Sequence, residues 1–206
     1  MKAVLSFVAI VGSFAAVQTV VPVENEPQHH LAFENALIKV LSVAFPPGYV
    51  SLFHQHSLHN VSVRIVTGAT RTDLLDAEGT LQVAPVGRVL FNSASPPYTH
   101  RVANLSTTTI RIVDVELLGA KSSPDERAPD NLAGHAIVIE NEHVRATRIQ
   151  LSAGASLAAH THPRGWLEIV VTGRDPGHFS WHNGGSPRTA VSGTATPIEL
   201  VEIEPR

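Results

Sequence analysis

A period-two alternation of apolar and polar residues recurs along the chain and predicts β-strands. It is clearest where Val61, Val63 and Ile65 alternate with polar residues, and it returns in segment 110–117. Further segments rich in strand-forming residues are 31–45, 50–56, 81–83 and 89–91. Helical periodicity is nearly absent from the chain. The pattern therefore predicts an all-β fold.

An internal repeat divides the chain into two halves. Shifting the sequence by 106 positions aligns residues 33–56 with 139–162 without a gap. The matched pairs include Asn35/Asn141, Gly48/Gly154, His54/His160 and His56/His162. The stretch between the halves loses apolar residues and gains proline and charge, as linkers do. The repeat predicts tandem β-domains at 24–118 and 135–206, joined by a linker at 119–134.

The N-terminal segment predicts export. Met1-Lys2 is followed by an apolar stretch and then small residues, the arrangement of a secretory signal peptide over residues 1–17. The alternative is an uncleaved anchor, because no charge occurs from Ala3 to Val23. We therefore expect a periplasmic or extracellular protein that contacts a membrane only through this leader.

Composition excludes several classes of function. Lys and Arg number 15 against 18 Asp and Glu, so the chain has no basic surface for nucleic acid. It contains no cysteine, which excludes disulfides and thiolate metal sites. Twelve histidines are many for 206 residues, and they become the candidates for site chemistry.

Three histidines form the first candidate site. His54 and His56 are two residues apart on a predicted strand, so both side chains point to the same face. His100, on a later strand, offers a third imidazole. Neutral imidazoles that converge from separate strands suit a transition metal. The alternative is that these histidines only form hydrogen bonds inside a barrel.

These motifs resemble the cupin superfamily. Its first motif, a Gly followed after five residues by His-x-His, is matched by Gly48, His54 and His56 and again by Gly154, His160 and His162. Its second motif ends in a His followed after three residues by an Asn, and His100 and Asn104 fit this ending. The resemblance implies two tandem antiparallel jelly-roll barrels, a bicupin, with a metal or ligand in the barrel mouth. It also implies His54, His56 and His100 as ligands of one divalent metal, Fe, Mn, Ni or Zn.

The chain departs from the cupin pattern at several positions. Val61 stands where the first half should carry the motif glutamate, with His59 and Asn60 as nearby substitutes. In the second half that position falls on Trp166. Aligning Ile198 with Ile110 places Arg188 where the first half has His100. An arginine is a cation and cannot be a metal ligand. We therefore expect a degenerate second barrel that has lost ordinary metal binding.

The second half leaves two interpretations open. His160, His162, Glu168 and Arg188 could form a second site or an anion pocket, because arginine binds carboxylates with two parallel hydrogen bonds. Alternatively, Glu168 and Arg188 pair internally. The histidines outside the motifs are expected on the surface or in loops: His29, His30, His135, His143, His178 and His182.

Two functions of different classes follow. The first is an exported metal-binding bicupin, dioxygenase-like or isomerase-like, that acts on a small molecule. The apolar row of Val61, Val63 and Ile65 near the site predicts an aromatic or otherwise apolar substrate. The second is a non-catalytic ligand-binding or scaffold cupin without metal. The sequence identifies no general acid or base. Jelly-roll barrels often pair through their outer strands, so a homodimer is one possible state.

Overall fold

A computed structural model describes residues 18–75, 77–119, 134–188 and 195–206. Within these ranges the chain is built from β-strands, and the predicted all-β fold is confirmed. The predicted leader at 1–17 and all but the two ends of the predicted linker at 119–134 lie outside the described residues. No helix in the described ranges is long and apolar enough to span a membrane.

The described part of the first half contains ten strands and one short 3₁₀ turn at Val23–Asn25. The strands are β1 Val20–Pro22, β2 His29–Glu34, β3 Ile38–Phe45, β4 Phe53–His56, β5 Asn60–Val66, β6 Gly68–Leu74, β7 Ala77–Ala84, β8 Val89–Asn92, β9 Tyr98–Asn104 and β10 Ile110–Leu117. They form two five-stranded sheets, in the orders β1-β4-β9-β6-β7 and β2-β3-β10-β5-β8. Except for the parallel pair β1 and β4, neighbouring strands are antiparallel. This is the jelly-roll arrangement predicted from the resemblance.

The second half contains seven described strands. They are β11 His135–Glu140, β12 Val144–Leu151, β13 His160–Thr161, β14 Trp166–Thr172, β15 Phe179–His182, β16 Pro187–Arg188 and β17 Ile198–Pro205. A five-stranded sheet has the order β11-β12-β17-β14-β15, and β13 pairs with β16. Among the described residues the second barrel therefore has one full sheet and one reduced sheet.

The sequence repeat reappears in local structure. The side-chain oxygen of Asn35 accepts hydrogen bonds from the backbone N–H groups two and three residues further on, and Asn141 does the same. Gly48 and Gly154 both have positive φ, at 73° and 79°, a conformation that a Cβ atom penalises. Each glycine therefore turns the chain into the strand that carries the His-x-His motif.

One apolar core joins the two halves. The sheet containing β5 and β10 packs its apolar face against the sheet containing β14 and β17, and buried residues from both halves form one cluster. We call this cluster the inter-barrel core. Val61, Val63 and Ile65 belong to it, with exposures of 0%, 0% and 4%.

The prediction that these three residues face the site is wrong. The polar residues that alternate with them, Ser62 and Arg64, line the cavity of the first barrel instead. Both faces of β5 are covered by protein, so the apolar row packs against the second barrel and the polar row faces inward. The expectation of an apolar substrate rested on this row and is therefore no longer supported by it.

Candidate metal centre

Strands β4 and β9 bring the three motif histidines of the first barrel together. His54 pairs in register with His100, and His56 follows on the same face of β4. The Nε2 atoms of His54 and His100 lie 2.9 Å apart. One ligand nitrogen from each histidine lies within 4.8 Å of the other two. One small ion can contact all three nitrogens, and the residues present fit a transition metal.

The surroundings prepare His54 to be a ligand. Its Nδ1 atom lies 3.0 Å from the carbonyl oxygen of Leu52. Donation of the Nδ1 proton to this carbonyl leaves the Nε2 lone pair directed at the other histidines. His160 makes the equivalent contact to Ala158 at 3.1 Å in the second barrel.

The imidazoles of this cluster are neutral at pH 7. Burial and the neighbouring histidines together lower the pKa of His54 to about 4 and that of His100 to about 3. Burial and the charges of His100 and His54 lower the pKa of His56 to about 2. Metal ligation requires the neutral form of histidine. The cluster therefore needs no deprotonation at neutral pH before it binds an ion.

Carboxylates lie behind the cluster rather than within it. The Nδ1 atom of His56 lies 3.3 Å from the side-chain amide of Asn60 and 3.9 Å from Glu116. The same amide donates to Asp114 at 2.8 Å. Burial raises the pKa of both Asp114 and Glu116 to about 7. Of the two substitutes considered for the missing glutamate, Asn60 contacts the site, whereas His59 stacks on His143 with ring centroids 4.0 Å apart.

A fourth histidine lies beside the cluster, and its predicted surface position is wrong. His29 is 6% exposed, and its ring centroid is 4.6 Å from that of His54. Its Nδ1 atom lies 2.7 Å from a carboxylate oxygen of Glu26, whose other oxygen accepts a hydrogen bond from Tyr49 at 2.6 Å. Although burial raises the pKa of Glu26, the hydrogen bonds from His29 and Tyr49 lower it to about 2. The sequence held a signal for this residue, since the shift of 106 pairs His29 with His135.

A cavity of about 330 Å³ opens next to the histidines, between the two sheets of the first barrel. This volume is at the lower end of the range for ligand pockets, roughly 300–1,000 Å³. Its polar lining, besides the histidines, consists of Asn60, Ser62, Arg64, Thr70, Thr72, Thr80, Gln82, Arg88, Asn92 and Tyr98. Apolar side chains complete the wall, among them Phe45, Leu90 and Ile112. The cavity suits a small ligand with both polar and apolar parts.

The second barrel brings its four predicted site residues together as an ion network. His160 pairs in register with Arg188, and His162 lies 3.1 Å from His160. Arg188 forms an ion pair with Glu168 and a second one with Glu202, at 2.9 Å. The geometry matches the internal pairing of Glu168 and Arg188 rather than a pocket that awaits an external anion.

Sequence reasoning missed Glu202, the centre of this network. Glu202 is 1% exposed and also lies 3.1 Å from His162, which contacts Glu204 at 3.3 Å. Burial lowers the pKa of His162, but the two glutamates outweigh burial and raise it to about 9. The alignment of strands β10 and β17 pairs Asp114 with Glu202 and was the available signal.

The other histidines of the second half differ in whether they occupy the predicted surface or loop positions. His135 lies 5.2 Å from His160 between ring centroids, and ligand atoms of His135, His160 and Glu202 lie within 4.8 Å of one another. His182 stacks on the buried Trp166 at 4.5 Å. The predicted surface positions of His135 and His182 are therefore wrong, whereas His143 lies in the loop between β11 and β12, as predicted. His30 and His178 are exposed, as predicted.

Comparison with known proteins identifies the fold through solved structures. No family model matches the chain, and no curated protein matches it. AerE from Microcystis aeruginosa is 10% identical, with a TM-score of 0.57, covering 88% of this chain and 98% of AerE. A cupin 2 conserved barrel protein from Leptotrichia buccalis is 10% identical, with a TM-score of 0.54, covering 86% and 88%.

A single-residue variant of oxalate decarboxylase from Bacillus subtilis is 11% identical to this chain. The TM-score is 0.55, and the match covers 85% of this chain and 74% of the decarboxylase. At these identities the likeness concerns the fold alone. It agrees with the His-x-His repeat and with the sheets described above.

Proposed function

We propose, with the two-barrel cupin fold as the premise, that the first barrel binds one divalent transition metal through His54, His56 and His100 and acts on a small molecule in the adjacent cavity. The convergence of three neutral imidazoles carries this proposal. Their nitrogens meet around one point, His54 is oriented by a backbone carbonyl, and no Asp or Glu of the described residues occupies the cluster.

A metal held by three histidines keeps open coordination positions and supplies Lewis acidity or, as iron or manganese, redox chemistry. The protein's own residues add a buried imidazole oriented by a carboxylate, His29 with Glu26, beside the cluster. This combination supports a metal-dependent enzyme of dioxygenase-like or isomerase-like type. The metal is Fe, Mn, Ni or Zn. The leader at 1–17 supports export to the periplasm or the exterior.

Elemental mass spectrometry of the purified protein tests the metal proposal. We expect about one transition-metal ion per chain and its loss in a His54→Ala/His56→Ala variant. The matched control is His30→Ala/His178→Ala, which removes two exposed histidines and should keep the metal. Circular dichroism of both variants separates ligand loss from unfolding. A protein that stays metal-free after incubation with each of the four metals contradicts the proposal.

A second candidate function is a non-catalytic ligand-binding cupin without metal. The specific observation in its favour is the second barrel, where Arg188 and Glu202 form an ion pair among the motif histidines. If the first barrel bound small molecules but no metal, this function would replace the first.

A further inference from the structure

Arg64 is a buried cation for which the described residues supply no anionic partner. It projects from β5 into the cavity of the first barrel, and the residue is 8% exposed. Its Nη1 atom has no hydrogen-bond partner, and no ion pair among the described residues includes it. Burial and the nearby charge of Arg88 lower its pKa to about 10, so the guanidinium stays protonated at neutral pH.

Backbone hydrogen bonds hold the strand segment that carries Arg64. The amide of Arg64 donates to the carbonyl of Arg88 at 2.9 Å, and its carbonyl accepts from Gly87 at 2.8 Å. Arg88 also lines the cavity and donates to the side-chain oxygen of Gln82 at 2.8 Å. No Asp or Glu is among the described residues of the cavity lining. The cavity therefore carries an uncompensated positive charge on a fixed strand.

An isolated buried charge costs several kcal/mol unless a counter-charge or hydrogen bonds offset it. Arg188 meets this requirement through its ion pairs with Glu168 and Glu202. Arg64 has no such partner among the described residues, and it lines a cavity with free volume. An anionic ligand would therefore complete an interaction that the fold leaves open.

The other residues that line the cavity indicate which class of anion it would bind. A planar guanidinium matches the two oxygens of a carboxylate, and hydroxyls from Thr70, Thr72 and Thr80 line the same cavity. A purely inorganic ion such as phosphate would make no apolar contact with the wall that contains Phe45. A carboxylate attached to a small apolar group satisfies both kinds of wall.

We propose that Arg64 binds the carboxylate of a small organic acid and thereby defines the substrate class of the first barrel. This inference deepens the proposed function, because it concerns the same cavity. It does not need the metal, since the observations at Arg64 are independent of the histidine cluster. Arg64 acts as a substrate-binding residue.

Isothermal titration calorimetry with matched probes tests the inference. The probes are butyrate and benzoate, their neutral amides butyramide and benzamide, and inorganic phosphate. They are titrated into the protein as purified and after chelator treatment. A charge-assisted pair is worth about 1.5–3 kcal/mol, so we expect the acids to bind roughly tenfold or more tightly than the amides. We expect a similar loss of acid affinity in Arg64→Gln, a smaller loss in Arg64→Lys, and no change in the amides.

The control variant is Arg71→Gln, which removes one positive charge from the same barrel at a residue outside this cavity. It should bind the acids like the unmodified protein. Equal binding of acids and amides, unchanged acid binding in Arg64→Gln, or no binding of either acid at millimolar concentrations overturns the inference. Tighter binding of phosphate than of both acids overturns the carboxylate assignment.

Two further readouts separate the inference from its alternatives. The thermal midpoint of ligand-free Arg64→Gln should equal or exceed that of the unmodified protein, because the variant removes an unpaired buried charge. A large decrease would show that Arg64 serves the fold instead. The metal content of Arg64→Gln should be unchanged. Failure of the metal proposal would appear as missing metal with intact acid binding, and failure of the present inference as intact metal with no acid binding.

Discussion

His56 and His162 occupy equivalent positions 106 residues apart, yet their pKa values move in opposite directions. His56 is buried among other histidines, and burial together with these neighbours lowers its pKa to about 2. His162 lies between Glu202 and Glu204, and its pKa rises to about 9. The same motif position therefore holds a neutral metal-ligand candidate in one barrel and a positively charged member of an ion network in the other.

This contrast predicts opposite pH dependences of stability. The pKa of His162 is raised from 6.5 to about 9 in the folded protein, so protonated His162 stabilises the fold. This stabilisation is complete below pH 6.5 and is lost as the pH rises through about 9. Relative to His162→Gln, the protein should lose roughly 3 kcal/mol of unfolding free energy between pH 6 and 10. Urea unfolding at several pH values measures this difference.

His56→Gln, in chelator-treated protein, is the matched comparison. Because the pKa of His56 is lowered, its contribution to stability is present above pH 6.5 and lost as the pH falls below that value. The difference in unfolding free energy between the unmodified protein and His56→Gln should therefore change with pH in the direction opposite to that of His162→Gln. Parallel pH profiles for the two variants would contradict the assigned charge states.

Loss of Arg188 should strongly destabilise the protein. Arg188→Met leaves Glu168 without its cation and removes the arginine from the buried Glu202, which keeps its contact with His162. Breaking a comparable buried pair costs about 3–5 kcal/mol. The control Arg71→Met breaks a half-exposed pair with Asp73 and should cost at most about 1 kcal/mol. Chemical denaturation compares the two variants. Equal small effects would mean that the network contributes little to folding.

Asn104 is a structural residue of the second cupin-like motif. Its side-chain amide donates to the carbonyl oxygens of Phe45, Pro46 and Thr108 at 2.8–3.1 Å, and the residue is 1% exposed. Asn104→Ala removes these bonds and should cost about 2–3 kcal/mol of unfolding free energy. Metal content should remain unchanged. A variant of normal stability that loses its metal would instead make Asn104 part of the metal site.

The inter-barrel core predicts that both halves unfold together. Ile169 is fully buried in this core, although it lies in the second half. Ile169→Ala should cost about 2–5 kcal/mol. We expect a single unfolding transition, shifted by the same amount whether it is followed by Trp166 and Trp181 fluorescence or by loss of metal from the first barrel. Two separate transitions would show that the halves unfold independently.

The sequence predicted the strands and the repeat well, because both depend on local patterns. The shift of 106 reproduces β2 and β11, and β3 and β12, with identical boundaries. The His-x-His spacing placed His54 and His56 side by side because strand geometry has a period of two. Convergence of these residues with His100 followed from the cupin resemblance.

The remaining features depend on which elements face each other. Alternation showed that β5 has an apolar face and a polar face, but it did not show that the second barrel would cover the apolar face. Arg64 and the polar cavity were missed for this reason. His29 and Glu202 were missed because they lie outside the family motifs and enter the sites through strand pairing.

The inter-barrel core also explains why the protein needs its second half, even though the charged groups inside that half pair with one another. A chain cut after Leu117 would expose to water the face that carries Val61, Val63 and Val115. Large exposed apolar patches drive association between molecules. The second half therefore acts as an intramolecular partner that keeps the first half soluble, and this role does not depend on any metal or ligand in the second barrel.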